Sequence, residues 1–313
     1  GAALSFSGYF RSKGYSVAGA VFDEGFRSVK HIFADDTEDM FETVGSKYVQ
    51  SNASLVLKRM SAGLGEYPKD SNEHFAFFGT PCQVAAARNL MERRGAELED
   101  SECFFVDFFC HGVPSYLAWW GFLDEVVLPK IGQMQFLDFR NKAQGWSNYT
   151  FSAYGTQGTY ACTFLDTIFG QLFLCDLCLR RSCYTCPFRA RSAADLRVGD
   201  FWGREFDNDN MGVSLLSPIT QKGLDAIESN HNLVLWSVPI RLLYESQPLM
   251  LKPELPEPQS REAVMNELRQ GSSVKSIYDR HLAKDHSRRL RRKRMRGAVP
   301  PSVKKLAKQV FGL

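Results

Sequence analysis

The sequence predicts an α/β fold with a mixed, mostly parallel sheet flanked by helices. Two segments, residues 75–93 and 103–127, repeat one pattern: an apolar strand, a tight turn with a cysteine, and a helix. Repeated strand–turn–helix units of this kind are typical of parallel sheets. At 313 residues, with 44% hydrophobic and 23% charged residues, the chain has the composition of a globular protein with a large core.

The remaining segments complete this architecture. Short apolar runs predict further strands at 15–22, 29–33, 133–140, 147–154, 196–201 and 213–216. Helical spacing and capping residues predict helices after Thr37 and at 51–62, 163–173, 220–229, 261–269 and 274–282. We therefore expect a body over 1–250 with a cysteine-rich segment at 175–203, a Pro-rich linker with helices over 251–283, and a helical basic tail over 284–313.

The net charge of +3 conceals this basic tail. Residues 284–313 contain eleven Lys or Arg and one acidic residue, which gives the tail a charge of +10 and the rest of the chain −7. Two interpretations stay open: peripheral contact with an anionic membrane through a basic amphipathic helix, or a solvated tail without a dedicated partner. No nucleic-acid recognition motif is present. Without a signal peptide or a long apolar run, the expected location is cytoplasmic, with membrane association as the open alternative.

Cysteines dominate the candidate chemistry. Four of the eight lie within twelve residues: Cys175, Cys178, Cys183 and Cys186. A zinc ribbon normally separates its two cysteine pairs by a longer stretch, whereas an iron–sulfur protein spaces cysteines closely and often ends the run in Cys-Pro, as here. A third interpretation is that only part of the run ligates a metal and that the other ligands come from elsewhere in the chain.

Two further cysteines occupy matched positions. Cys82 and Cys110 each end a predicted strand and precede a predicted helix, with Pro81 suited to the first turn of the helix after Cys82. Neighbouring parallel strands would bring both cysteines to the carboxyl edge of the sheet, where open α/β folds bind ligands. A thiolate at a helix N-terminus also has a lowered pKa. The alternative is that both are small, buried core residues.

Five segments together resemble one protein family. They are Gly45–Ser51 (GSKYVQS), Gly79–Gln83 (GTPCQ), Asp107–Ser115 (DFFCHGVPS), Ser182–Cys186 (SCYTC) and Ala194–Gly203 (ADLRVGDFWG), in that order. This combination is similar to the coenzyme F420 hydrogenase/dehydrogenase beta-subunit family over roughly residues 1–230, and most similar to its bacterial branch found in polysaccharide-biosynthesis settings. The resemblance implies a flavin-dependent oxidoreductase with FAD beside a 4Fe–4S cluster. It also implies that the cluster ligands are Cys82, Cys110, Cys183 and Cys186, with Cys175 and Cys178 as additional thiols.

The sequence departs from the family in two respects. Many relatives begin with a ferredoxin module that is not found in this sequence, so we expect the module to be missing, cut off or supplied by a partner, with a ferredoxin or ferredoxin-like module as the expected electron donor. Bacteria of this branch generally lack the deazaflavin coenzyme, so the family does not fix the substrate. We expect a small-molecule or sugar-related one.

The candidate flavin contacts follow from residue chemistry within these motifs. Ser46, Lys47 and Tyr48 offer a hydroxyl, a cation and a ring, while Gly79 and Thr80 permit close backbone approach near a helix N-terminus. The set of expected cofactor-binding residues is Ser46, Lys47, Tyr48, Gly79, Thr80, Pro81, Gly112 and Asp200. No Gly-x-Gly-x-x-Gly motif supports a Rossmann-type site. For Lys47 and Asp200 the alternatives are a surface lysine and a turn cap.

Two further groups have open roles. His111 is the candidate catalytic residue, as a proton donor to reduced flavin or substrate, or else its hydrogen bond only fixes the turn. Arg140, Lys142 and Trp146 either line a substrate mouth or belong to a solvated hairpin. The hypothesis is therefore a flavin-dependent iron–sulfur oxidoreductase. The alternatives are a zinc-stapled binding or scaffold protein and an inactive relative of the oxidoreductases.

Overall fold

A mixed β-sheet forms the centre of the molecule, as the sequence predicted. The computed structural model describes residues 1–63, 74–93, 103–206, 209–252 and 254–298, and within them seven strands are ordered β10-β9-β5-β4-β1-β2-β3. The strands are β1 (Tyr15–Phe22), β2 (Val29–Phe33), β3 (Ser51–Asn52), β4 (His74–Phe78), β5 (Cys103–Phe108), β9 (Leu196–Asp200) and β10 (Ser214–Pro218). Strands β1, β4, β5 and β9 pair in parallel, so their carboxyl ends meet at one edge.

Helices cover this sheet and extend to the C-terminal part of the described chain. They are α1 (Ala2–Ser12), α2 (Thr37–Glu42), α3 (Ser54–Gly63), α4 (Pro81–Arg93), α5 (Tyr116–Phe122), α6 (Leu128–Ile131), α7 (Ile168–Leu174), α8 (Gln221–Ser229), α9 (Ile240–Ser246), α10 (Arg261–Arg269), α11 (Val274–His281) and α12 (Ala283–Ala298). A π-helical turn, Leu123–Val127, joins α5 to α6. Among the described residues, no helix is both long and apolar enough to cross a bilayer.

A second, antiparallel sheet lies in the middle of the chain. It consists of β6 (Met134–Asn141), β7 (Thr150–Gly155) and β8 (Gly158–Thr163). Its inner face packs on an aromatic cluster around the fully buried Trp119, whose ring lies 5.3 Å from Phe139 and 5.2 Å from Phe169. This cluster joins the second sheet to α5 and α7, so the same apolar core supports the loops at its edge.

Several element boundaries differ from the sequence prediction. The segment predicted as a helix over 163–173 instead begins as the end of β8, followed by a short 3-10 turn, Phe164–Asp166, and then α7. Thr167 caps α7 by accepting a hydrogen bond from the Gly170 N–H, which fixes the later start. Strand β8 was not predicted, because its alternating residues have little apolar character on the exposed side. The short helix expected after Pro300 lies outside the described residues.

A buried ion pair crosses the central sheet. Asp107 on β5 is fully buried and accepts hydrogen bonds from Nε and Nη2 of Arg197 on β9, both at 2.7 Å. The same guanidinium donates to the backbone carbonyls of Arg189 and Phe188, each at 3.1 Å. Because these carbonyls belong to the loop after Cys186, the ion pair anchors the cysteine-rich segment to the strand that leads to Cys110.

Candidate functional site

The carboxyl edge of the parallel strands brings the predicted metal ligands together. Cys82 is the second residue of α4, directly after β4, and Cys110 follows the end of β5 by two residues. Since β4 and β5 are neighbouring parallel strands, the two cysteines leave the sheet at the same edge, as the sequence predicted. Cys183 ends a 3-10 turn, Arg181–Cys183, and Cys186 follows in the same loop.

The thiols of these four residues are close enough to influence one another's ionisation. Burial raises the pKa of Cys110, the nearby thiols of Cys183 and Cys82 act in the same direction, and the resulting pKa is about 12. Burial also raises the pKa of Cys183, and Cys186 and Cys82 act in the same direction. Four thiolates in one place therefore need a cationic centre to be stable, and a metal centre with thiolate ligands supplies it. The chemistry of this donor set fits an iron–sulfur cluster.

The spacing of the donors bears on the kind of centre. In the described part of the chain, no three His, Cys, Asp or Glu side chains are already grouped closely enough to hold a metal ion. Around one zinc ion, with Zn–S bonds of about 2.3 Å, thiolates must crowd to roughly 3.8 Å from one another. A four-iron core takes one thiolate at each iron, and so accepts donors that are more widely separated.

Gly112 allows the turn after Cys110 to approach the Cys183 turn. Its φ of +147° is unfavourable for other residues, and a Cβ atom there would lie 2.9 Å from Leu179 Cδ1 and 3.4 Å from Cys183 Cβ. The next N–H, that of Val113, donates to Cys183 Sγ at 3.4 Å. Gly112 thus has a steric role in bringing two predicted ligands together.

One expectation about Cys110 needs correction. Helix α5 has Ser115 as its N-cap, five residues after Cys110, so the helix N-terminus does not stabilise this thiolate. A hydrogen bond from the Gly112 backbone acts to lower the pKa of Cys110 instead, although burial outweighs it. The turn between strand and helix is longer here than after β4, where Cys82 does lie in the first helical turn.

Cys175 and Cys178 form a separate pair. Cys178 is completely buried, and burial raises its pKa to about 12, with Asp176 and Cys175 among the neighbours that add to this effect. The backbone carbonyl of Cys178 accepts a hydrogen bond from the Ser115 N–H at 2.7 Å. Cys175 Sγ lies 3.6 Å from a guanidinium nitrogen of Arg289 on α12. These contacts place the pair beside the C-terminal helices.

The motif Gly45–Ser51, which contains the predicted flavin residues Ser46, Lys47 and Tyr48, is joined through its last residue to the turn before Cys82. Gln83 links the two regions: its amide nitrogen donates to the Ser51 carbonyl at 3.0 Å, and its amide oxygen accepts from the Thr80 N–H at 3.1 Å. Thr80 Oγ1 lies 3.2 Å from Cys82 Sγ. Residues predicted from separate motifs are therefore brought together at this edge.

The remaining residues of these two segments have mainly local contacts. Pro81 opens α4, and a Cβ atom on Gly79 would lie 2.7 Å from the Phe77 ring. The Lys47 amine donates to the Val44 carbonyl at 2.9 Å, and burial lowers the pKa of Lys47 to about 8. A hydrogen bond joins the side chains of Ser46 and Tyr48.

The ring of Phe173 contacts both His111 and Tyr48. Phe173 lies 5.0 Å from the His111 ring and 5.1 Å from the Tyr48 ring, measured between centroids. His111 Nε2 lies 2.7 Å from Asp176 Oδ1, so a carboxylate orients the imidazole. This contact supports the role of His111 in fixing the turn, and it also sets the direction of a ring that follows the Cys110 thiol in the chain.

Asp200 forms an ion pair with Arg140 instead of capping a turn. The Arg140 guanidinium lies over the rings of Tyr48, Trp146, Tyr149 and Trp202, at 5.8, 5.0, 5.0 and 5.3 Å. We call this group the Arg140 cage. Sequence analysis found Arg140 and Trp146 as neighbours in one segment, but it gave no indication that Tyr149 and Trp202 complete the cage.

Two cavities adjoin the cage, and Trp146 lines both of them. One, of about 140 Å³, is lined by Trp146, Ser147, Phe201, Trp202, Gly203 and Phe206. The other, of about 180 Å³, has among its lining residues Lys142, Asp200, Met211 and Ser214. Trp146 and Trp202 stack at 4.8 Å between centroids. The site thus combines flat apolar walls with a cation and a carboxylate, beside the end of β9.

A buried histidine near the predicted flavin segment predicts a pH effect on stability. His31 is 3% exposed, its Nε2 lies 2.9 Å from the Phe78 carbonyl, and its Nδ1 is buried with no hydrogen-bond partner among the residues that the structure describes. Burial lowers its pKa from 6.5 to about 4. Between pH 6.5 and about pH 4, the His31 side chain is therefore protonated in the unfolded chain but neutral in the folded protein. The free energy of unfolding consequently decreases as the pH is lowered through this window.

We expect a loss of about 2 kcal/mol between pH 7 and pH 5 from this group. Urea unfolding at the two pH values measures it. The His31→Gln variant, which keeps a donor for the Phe78 carbonyl but does not titrate, should lose less stability over the same interval. An identical pH dependence in the variant and the unchanged protein would contradict this assignment.

The comparisons with known proteins agree with this description. The family model for the C terminus of the coenzyme F420 hydrogenase/dehydrogenase beta subunit matches residues 72–238, more than half of the chain. A solved chain of the F420-reducing [NiFe] hydrogenase complex from Methanosarcina barkeri, studied as a xenon derivative, has a similar fold. The TM-score is 0.53 over 85% of this chain and 84% of that chain, at 17% identity. No curated protein sequence matches the chain.

The fold and the family match together define a class. An α/β protein with thiols at the carboxyl edge of its sheet, related to hydrogenase and dehydrogenase subunits, is a relative of oxidoreductases. The chain belongs to the coenzyme F420 hydrogenase/dehydrogenase beta-subunit family.

Proposed function

We propose that the chain is a flavin-dependent iron–sulfur oxidoreductase in which Cys82, Cys110, Cys183 and Cys186 hold a 4Fe–4S cluster and FAD binds beside it. The observation that carries the proposal is the convergence of these thiols, which lie up to 104 positions apart in sequence, in one electrostatically coupled group. When bound, the cluster would transfer single electrons, and the flavin, which takes up electrons singly or in pairs, would couple this to two-electron chemistry.

In this proposal the protein itself holds the two cofactors and orients the groups around them. The turns after β4 and β5 present two of the ligands, and the Arg197–Asp107 pair anchors the loop that presents the others. Ser46, Lys47 and Tyr48, together with Gly79, Thr80 and Pro81, are the proposed FAD contacts. Gln83 joins the two motifs by hydrogen bonds to Thr80 and Ser51, and hydroxyls, an amine and the N-terminus of α4 suit the FAD phosphates. His111, oriented by Asp176, is the candidate proton donor.

The cavities at the Arg140 cage are the proposed substrate mouth. Trp146 and Trp202 offer ring faces, whereas Lys142, Asp200 and Ser214 offer polar groups at the other cavity. This combination suits a small molecule with a flat or sugar-like ring and polar substituents. Electrons would be exchanged with a ferredoxin or ferredoxin-like partner.

Cofactor content tests the proposal. We expect the protein, expressed and purified without oxygen, to contain about four irons and four sulfides per chain together with flavin. Cys82→Ser and Cys110→Ser should lose most of the iron because each removes a thiolate ligand. Iron and sulfide assays, visible absorbance and identification of the released flavin give the result.

Cys175→Ser is the matched control, since its thiol lies in the separate pair, and it should retain its iron. Iron loss in Cys175→Ser with iron retained in Cys82→Ser would refute the ligand assignment. A colourless protein with one zinc and no flavin would instead indicate the zinc-stapled scaffold, and cofactors without turnover would indicate an inactive relative.

A further inference from the structure

One buried arginine beside the thiols has no counter-charge of its own. Arg189, Arg197 and Arg261 are each 3% exposed. Arg197 pairs with Asp107, and Arg261 pairs with Glu257 and Glu262. Within the described ranges, Arg189 has no carboxylate within ion-pair distance, and its guanidinium donates to the backbone carbonyls of Leu249, at 3.0 Å, and His111.

Arg189 lies near two predicted ligands, Cys186 and Cys110. It follows Cys186 by three residues, and its side chain reaches the carbonyl of the residue directly after Cys110. Its own backbone carbonyl is held by Arg197, at 3.1 Å, so the side chain projects from an anchored loop.

An unpaired charge in a protein interior is unfavourable, and two carbonyl oxygens compensate a guanidinium only in part. Arginine has five N–H donors and stays protonated at any physiological pH. The missing negative charge therefore has to come from a group that binds nearby. Four thiolates around an iron–sulfur core carry a net negative charge, and they would lie beside Arg189 at the Cys110 turn.

We propose that Arg189 is the internal counter-ion of the thiolate-bound cluster and that it sets the cluster's reduction potential. This inference rests on the proposed function and adds to it a residue that positions and tunes the centre without ligating it. Reduction adds one negative charge to the cluster. A fixed positive charge in a site of low dielectric stabilises that reduced form, so its removal makes the potential more negative.

The test compares charge-changing variants of the whole chain. In Arg189→Met, which keeps a long apolar side chain without the charge, we expect iron content to stay near that of the unchanged protein. The ratio of reduced to oxidised cluster at a fixed potential should fall at least about tenfold. For a one-electron couple this corresponds to a shift of the reduction potential by about 59 mV. Arg189→Lys, which keeps the charge, should change this ratio less than about threefold. Anaerobic redox titration followed by visible absorbance and electron paramagnetic resonance measures the ratio.

Arg180→Met is the matched control. Arg180 likewise lies three residues from a predicted ligand, Cys183, but it is exposed, so water screens its charge and its loss should change the ratio less than about threefold. If Arg189→Met binds the cluster and titrates like the unchanged protein, the counter-ion role is wrong while the proposed function stands. If the unchanged protein binds no iron, both are wrong.

If Arg189→Met loses its iron, a second pair of variants tests the role of the charge. Arg189→Gln and Arg189→Lys both retain hydrogen-bond donors for the carbonyls, but only lysine retains the charge. Iron retained in the lysine variant and lost in the glutamine variant supports the counter-ion role. Equal loss from both shows that shape, and not charge, is required, and overturns it.

Discussion

Replacing Asp107 with asparagine is expected to lower the free energy of unfolding by about 3–5 kcal/mol. Asp107 is fully buried and accepts two hydrogen bonds from Arg197 and a third, at 2.8 Å, from the Ser192 hydroxyl. Without the carboxylate, the Arg197 guanidinium remains buried without a counter-charge. Urea unfolding of the full chain, followed by tryptophan fluorescence, measures the change.

Asp124→Asn is the control for this prediction. Asp124 also forms a two-point ion pair, with Arg27, but both side chains are about half exposed, at 51% and 43%. Exposed pairs of this kind contribute about 1 kcal/mol or less. A similar loss of stability in both variants would show that burial does not control the strength of the Asp107 pair.

A double replacement separates the charge from the packing. In Asp107→Leu combined with Arg197→Met, no charge is left buried, so we expect a smaller loss of stability than in Asp107→Asn. The double variant nevertheless lacks the hydrogen bonds to the carbonyls of Phe188 and Arg189. Its iron content should therefore be lower than that of the unchanged protein even where its stability is largely restored.

Trp119→Ala is expected to destabilise the protein by about 3–5 kcal/mol. The Trp119 ring is completely buried in the aromatic cluster between α5, α7 and the second sheet, and its Nε1 donates to the Phe26 carbonyl at 2.9 Å. The substitution leaves a cavity and removes the hydrogen-bond donor of the carbonyl of Phe26, a residue whose φ is +56°. Thermal and urea unfolding measure the loss.

The adjacent Trp120 provides the control. Its Nε1 donates to the next carbonyl, that of Arg27, at 2.8 Å, but its side chain is 36% exposed and stacks on Tyr116 near the surface. Trp120→Ala should cost less, about 1–2 kcal/mol, because part of this side chain is already in water and no closed cavity is left. The two neighbouring tryptophans make the same kind of hydrogen bond, so the expected difference in their effect on stability comes from burial. Equal losses of stability in the two variants would contradict that explanation.

Much of the fold was predictable because its signals are local. The segments that lead to Cys82 and Cys110 contain a continuous apolar run, a turn and a helical pattern, and both predicted strands are present as β4 and β5. The parallel pairing of these strands then places both cysteines at one edge without further information. Strand β8 was missed, since its exposed polar positions resemble those of a loop.

The sequence indicated candidate donors for the site but gave no information on their surroundings. The family resemblance implied that Cys183 and Cys186 are ligands, whereas an arginine in a sequence normally indicates a solvated surface. Nothing local distinguishes Arg189, which is buried, from Arg180, which is exposed. The Arg140 cage likewise needs rings from positions 48, 146, 149 and 202, which meet only when the second sheet packs against the end of β9.

The sequence by itself determined the α/β class, the parallel strands and the thiols that end them, because hydrophobic periodicity and turn chemistry act over a few residues. Only the tertiary structure decided which charges are buried, which of them have partners, and which cysteines belong together. Those properties depend on desolvation and on distances between segments far apart in the chain, and no local pattern records them.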